Sequence, residues 1–222
     1  LGRATVAIWN DILPEGRTNF IEWHNREHIP ERVAIKGFRR GRRYVAEHGS
    51  PQYFTLYEAD DTAVLSGPDY LERLNNPTPW TRDATQAFRH TVRGVCATAF
   101  SNGSGDGGLM ATLRFNADPG RADELSAYLQ PVLADILKMP ALSGVHLCMT
   151  DTKASGIETQ ERKGREVGVP DWIVLIEGSW AASVDAASDR FLAGDLASHG
   201  MQGDVDRGLY RLEFSRTHFD EV

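Results

Sequence analysis

One order of elements occurs twice along this chain, and that repetition limits its architecture more than any single motif. Residues 4–11 (ATVAIWND) alternate in the manner of a strand, and 19–35 carry helical spacing. Residues 41–48 and 52–59 read as strands joined by a tight Gly49-Ser50-Pro51 turn. Residues 62–88 read as helical, broken at Pro68 and in the NNPTPW loop, and 90–100 as a fourth strand. SNGSGDGG at 101–108 reads as a Gly/Ser linker. After it the order returns: strand 109–117, helix 120–139, strands 143–150 and 172–179, helix 183–199, strand 208–217.

Each half is therefore a βαββαβ unit of the ferredoxin-like kind. The units span 1–101 and 109–222, with 102–108 between them. A four-stranded sheet with helices on one face must cover the other, and pairing two such faces buries both. The expected fold is α+β: two ferredoxin-like units in one chain, closing a pseudo-two-fold α/β barrel. Asn10 and Asn116 align the first strands, and Glu58 and Glu177 the third. Most of the difference in length lies in a polar insertion at 151–170. It reads first as a solvated or disordered loop and second as a lid.

Composition narrows the function. With 24 Lys+Arg against 31 Asp+Glu, the net charge of −7 argues against a nucleic-acid or membrane-surface binder. No apolar run reaches membrane-spanning length and no secretory leader is visible. Cys96 and Cys148 read as buried free thiols, so a cytoplasmic protein is expected. Residues 1–105 hold 13 basic and 12 acidic residues, whereas 106–222 hold 11 and 19. Four of the seven histidines lie in the first half, where chemistry is therefore expected.

The first helix carries the main candidates. At 100° per residue, His24 and His28 share a face with Phe20 and Ile21, while Glu22 and Arg26 point away. Both imidazoles should then point into the layer between helix and sheet, with Trp23 and Glu27 beside them. The alternative is a pair of hydrogen-bonded core histidines. His24-Asn-Arg-Glu-His28 also fits the inverted zincin spacing, but no third ligand is identifiable and Pro30 should cut the helix. The second half's helix has no histidine there.

A basic run follows, with Lys36, Arg39, Arg40, Arg42 and Arg43 within eight residues. It is either a solvated turn or the source of a carboxylate anchor, for which Arg42 and Arg43 are the candidates. Tyr44 could donate to a developing oxyanion. Trp9, Trp23, Tyr57 and Trp80 either fill the core or shape a slot for a flat apolar substrate. No phosphate loop, nucleophile elbow or metal cluster is recognisable.

The doubled order resembles the dimeric α/β-barrel superfamily. Trp23 to Arg32 (WHNREHIPER), with Gly37-Phe38 and Arg43-Tyr44, is similar to its EthD-like branch. The resemblance implies a site between the helices and sheet of one unit, lined by helix histidines. Its relatives mostly build the barrel from two chains, and a homodimer of fused chains is a further possibility.

The leading expectation is a cofactor-independent enzyme, a lyase, isomerase or cyclase. Its substrate would be a hydrophobic, aromatic or polyketide-like acid or carbonyl compound, with His24 and His28 as acid and base. Two alternatives stand beside it: a haem- or divalent-metal-dependent oxygenase, and a non-catalytic ligand-binding or stress-associated barrel.

Overall fold

The computed structural model describes residues 1–218, and in them the doubled order closes a ring. The first unit runs β1 (Ala4–Ile12), α1 (Arg17–Trp23), a π-helical turn (His24–His28), α2 (Ile29–Val33), β2 (Phe38–His48) and β3 (Tyr53–Ala59). Three short helices follow, α3 (Thr62–Leu65), α4 (Pro68–Asn75) and α5 (Pro79–Ala84), then β4 (Phe88–Gly103). The second unit runs β5 (Leu109–Ala117), α6 (Ala122–Ile136), β6 (Leu142–Thr150), α7 (Thr152–Ser155), β7 (Trp172–Gly178), α8 (Ala181–Leu192) and β8 (Met201–Thr217). No helix among the described residues is long and apolar enough to cross a membrane.

Within the units the strand orders are β4-β1-β3-β2 and β8-β5-β7-β6, antiparallel throughout. The edges meet as β2 against β8 and β4 against β6, so one chain closes all eight strands without a partner. Closure removes the free sheet edges that would otherwise invite pairing. Strand alternation then separates two environments. Ala7, Trp9, Tyr44, Phe54, Leu56, Met110, Ile173, Leu175 and Tyr210 fill the barrel interior. The outer faces carry the helices.

Register corrects the alignment of the repeat. Thr5 faces Glu58 across β1–β3, and Met110 faces Glu177 across β5–β7. Asn10 therefore corresponds to Phe115, not Asn116, and a one-residue slip exchanges the faces of a sheet. Several boundaries also differ from the expected ones. Strand β4 runs on through Ser101, Asn102 and Gly103, β8 starts at Met201, and α8 stops at Leu192.

The polar insertion keeps more than half of its residues exposed, but it is fastened to the fold. Its ends are stitched to the open flank of β4. Asp151 N donates to Val95 O at 2.8 Å, Gly168 N to Thr91 O at 2.9 Å, and Arg93 N to Gly168 O at 2.8 Å. Ser155, 1% exposed, accepts from Val95 N through Oγ. The insertion of the second unit thus lies over the outer face of the first.

Candidate active site

The helix from Arg17 to Val33 is regular except at one place. Ile29 N donates to His24 O, five residues back, so His24–His28 form a single wide turn. Such turns recur at functional sites. Pro30 does not end the helix. It lacks an N–H, and in a regular turn its ring would press on the Arg26 carbonyl, which the wider turn relieves. Pro131 sits inside α6 without such widening, so proline permits the turn and does not dictate it.

The wide turn places both imidazoles inward, 4% and 5% exposed. Their ring centroids lie 5.4 Å apart, and Trp23 stands 5.0 Å from His24 and 4.2 Å from His28. The Trp23 indole is held by Nε1 donating to Thr81 Oγ1 at 3.1 Å. Thr78 and Thr81 hydroxyls donate in turn to Glu27 Oε1, at 2.6 and 3.3 Å. Short helix α5, capped by Thr78, thereby fixes the turn from outside.

Below the histidines lies a cavity between this helix and the outer face of the first sheet. Ile8, Asn10, Thr55, Tyr57 and Arg93 form its floor, Tyr70, Leu74 and Phe88 its sides, and Glu161, Arg162, Arg165 and Val167 of the insertion its cover. It holds about 40 Å³ open to the centres of water molecules, room for about three waters. Its polar lining is under-satisfied. Asn10 Nδ2, His24 Nδ1, His28 Nδ1, Thr55 Oγ1, Tyr57 OH, Arg93 Nη1 and Arg165 Nη1 are buried without a hydrogen-bond partner. Buried polar groups are ordinarily paired, so a cluster of exceptions around one hollow makes it the candidate site.

Electrostatics sets the protonation states. Burial, then the Arg43 and Arg32 charges, hold the His24 pKa well below its ordinary value. Burial, Arg32, His24 and Arg165 do the same to His28. Both are neutral bases near pH 7. Burial raises the Tyr57 hydroxyl well above its ordinary value, so it is a donor and not a phenolate.

The matching layer of the second unit is filled. There α6 buries Leu125, Leu129, Leu133 and Ile136 against Leu113, Phe115, Val174 and Phe191. Where the first sheet offers Asn10 and Thr55, the second offers Phe115 and Val174, by the register above.

Of the residues singled out from sequence, His24, His28, Trp23 and Tyr57 meet at the cavity. Trp9, Arg42 and Tyr44 do not, because they sit on the opposite face of the sheet. Trp9 Nε1 donates to Thr112 Oγ1 inside the barrel, and Tyr44 stacks on Phe54 there. Arg42, 1% exposed, bridges Glu177 at 2.7 Å and Glu58 at 3.2 Å. Arg43 lies on the helix side, but it donates to Asn25 and Glu213 and covers the Phe20 ring. Trp80 packs outside the cavity and donates to Asn19 Oδ1 at 2.7 Å. Sequence reasoning missed Arg32, Arg93, Arg162 and Arg165. Only the arginines of the insertion carried a signal, as charge in a loop long enough to cover something.

No family model and no curated protein matches the chain. Solved structures do. An anthrone oxidase-like protein superposes with a TM-score of 0.72 at 13% identity, covering 99% of this chain and 94% of that one. The chain has the ferredoxin-like α/β-barrel fold. A candidate monooxygenase from Fusobacterium nucleatum gives 0.60 at 7% identity, covering 97% of this chain and 95% of that one. A heme-binding protein from Thermus thermophilus gives 0.53 at 9%, covering 95% and 91%. At such identities the likeness speaks for the fold, and function rests on the site.

Proposed function

We propose that this chain is a small-molecule enzyme that takes a proton from an apolar, anionic substrate held beneath His24 and His28. The observation that carries this reading is a pair of neutral imidazoles, each with an unpartnered Nδ1, facing a cavity with unpartnered guanidinium N–H groups. A neutral buried histidine is a base without prior deprotonation. An aromatic or polyketide-like acid or carbonyl compound suits the walls of Trp23, Tyr57, Tyr70 and Phe88. Arg93 and Arg165 take the anchoring role first sought in Arg42 and Arg43. Tyr57, not Tyr44, donates to the enolate or phenolate oxygen as charge develops there. The likeness of Trp23 to Arg32 to EthD-like helices agrees with a site on this turn.

The partly open cavity as packed admits only a few waters, so a substrate enters when the insertion moves. Proton transfer then leads to isomerisation, elimination or cyclisation. An oxidase reading shares the first step, with the enolate giving its electrons to dioxygen. The residues present do not fit a divalent metal, since no three His, Cys, Asp or Glu groups converge among the described residues.

Deuterium uptake tests the shared step. Hydroxynaphthoate and anthrone-type carboxylates are incubated with the protein in D2O, and mass spectrometry follows exchange at carbon. Enzyme-dependent exchange that His24→Gln and His28→Gln each reduce by about a hundredfold or more supports the reading. Full exchange and turnover in both variants overturns it. A retained ligand of unchanged mass marks a binding barrel instead.

A further inference from the structure

Among the described residues, the cavity is lined by one carboxylate, Glu161, and four guanidinium groups, those of Arg32, Arg93, Arg162 and Arg165. Glu161 belongs to the second unit's insertion, yet it pairs with Arg32 of the first unit's helix. Arg32 is 2% exposed, while the Glu161 side chain keeps 13% of its surface open, so the pair is part-buried. The Glu161 carbonyl also accepts from Arg165 Nη2 at 2.7 Å. Beside this pair, Arg93, 6% exposed, keeps Nη1 without a partner, and so does Arg165. Beyond Phe88, Glu161 and Arg165 a second, more open hollow begins, lined also by Arg82, Arg89 and Lys163. Phe88, Glu161 and Arg165 line both hollows, so Glu161 stands between the cavity and a basic vestibule.

Resting on the functional reading above, we infer that Glu161 occupies the seat of the substrate's own carboxylate. An incoming aromatic carboxylate takes its place on Arg32, and Arg93 and Arg165 supply the donors that one tethered carboxylate leaves unused. Displacing Glu161 moves the middle of the insertion while its ends stay pinned at Val95 and Thr91. A neutral analogue offers Arg32 nothing in exchange for Glu161 and therefore binds more weakly. Glu161 is thus the specificity-determining residue of the site, admitting anions by being one.

The test uses the full chain with two probes of similar shape, 2-naphthoate and neutral 2-naphthalenemethanol, read by titration calorimetry. Glu161→Gln is expected to tighten naphthoate binding about tenfold or more, because the seat no longer has an occupant to displace. Glu158→Gln removes the same charge from an exposed position three residues away and is expected to leave affinity unchanged. Hydrogen exchange across 157–166 should rise when naphthoate binds wild type, and should change little in Glu161→Gln. Equal gains from both variants, or naphthoate slowing exchange in that segment, overturns the inference alone. No naphthoate binding in wild type or either variant overturns it together with the anionic-substrate reading.

Discussion

The imidazole rings of His24 and His28 stand 5.4 Å apart and within 10° of parallel, and Trp23 packs against both. The charges acting on them are mainly guanidinium groups, Arg43 and Arg32 on His24 and Arg32 and Arg165 on His28. Two bases are thus held neutral by burial and by cations in one small space.

That arrangement makes stability depend on pH in a defined window. Above about pH 6.5 the histidines are neutral in both folded and unfolded chains and contribute no slope. As pH falls below that, the unfolded chain binds protons that the folded chain refuses, so stability falls. The loss is about 1 kcal/mol per pH unit for each buried histidine until its folded-state pKa is reached. His146, pushed down to about 3 chiefly by burial, adds a third such group. Urea midpoints measured between pH 7 and 5 should therefore drop steeply with acid. Replacing both His24 and His28 by Gln should remove the larger part of the slope, and a flat wild-type profile would contradict the assigned burial.

Arg42 is expected to matter for stability and not for ligand binding. Its guanidinium lies inside the barrel between Glu177 of β7 and Glu58 of β3. Arg42→Met leaves Glu177 buried without its cation, while Glu58 keeps Arg40 at 2.7 Å, and the loss costs about 3–5 kcal/mol. Urea unfolding measures that loss, while naphthoate affinity in the surviving folded fraction should stay at the wild-type value. A variant of normal stability that loses the ligand would restore Arg42 as an anchor.

How much of this was legible in the sequence follows from what each signal encodes. The order of elements and the Gly/Ser stretch carried the barrel, because alternation and helical spacing are local properties. His24 and His28 stood out because an apolar stripe with two imidazoles is visible on any helical wheel. The π turn was not visible, yet it kept both rings inward, so the face was right although the pitch was not. Arg42 and Tyr44 went to the wrong side because alternation sorts residues into two faces without saying which meets the helices. Arg93 and Glu161 were out of reach, since 68 residues separate them and only the stitching of Gly168 to β4 brings their segments together.

Thr81 is expected to couple the helical turn to helix α5. Its hydroxyl accepts from Trp23 Nε1 and donates to Glu27 Oε1. Thr81→Val keeps the shape and strands the indole N–H, at a cost of about 1–3 kcal/mol. Thermal unfolding should show the loss, and Trp23→Phe in the same background should recover part of it, since no N–H is then left unmet. Equal stability in Thr81→Val and wild type would show that the network does not hold the turn.

Arg93 gives the sharpest test of where the ligand's charge is held. Its Nη2 donates to Tyr70 OH at 3.1 Å, and its Nη1 lies buried beside the cavity without a partner. A carboxylate reaching Nη1 gains a charge-assisted hydrogen bond of about 1.5–3 kcal/mol, or about tenfold to a hundredfold in affinity. Arg93→Met should therefore weaken 2-naphthoate by that factor and leave 2-naphthalenemethanol nearly unaffected. Loss of both ligands would mean that Arg93 shapes the floor of the cavity, whereas loss of neither would place the anion elsewhere, with Arg32 and Arg165 the remaining donors. Combined with Glu161→Gln, the substitution should behave non-additively, because both changes act on one cluster of charges.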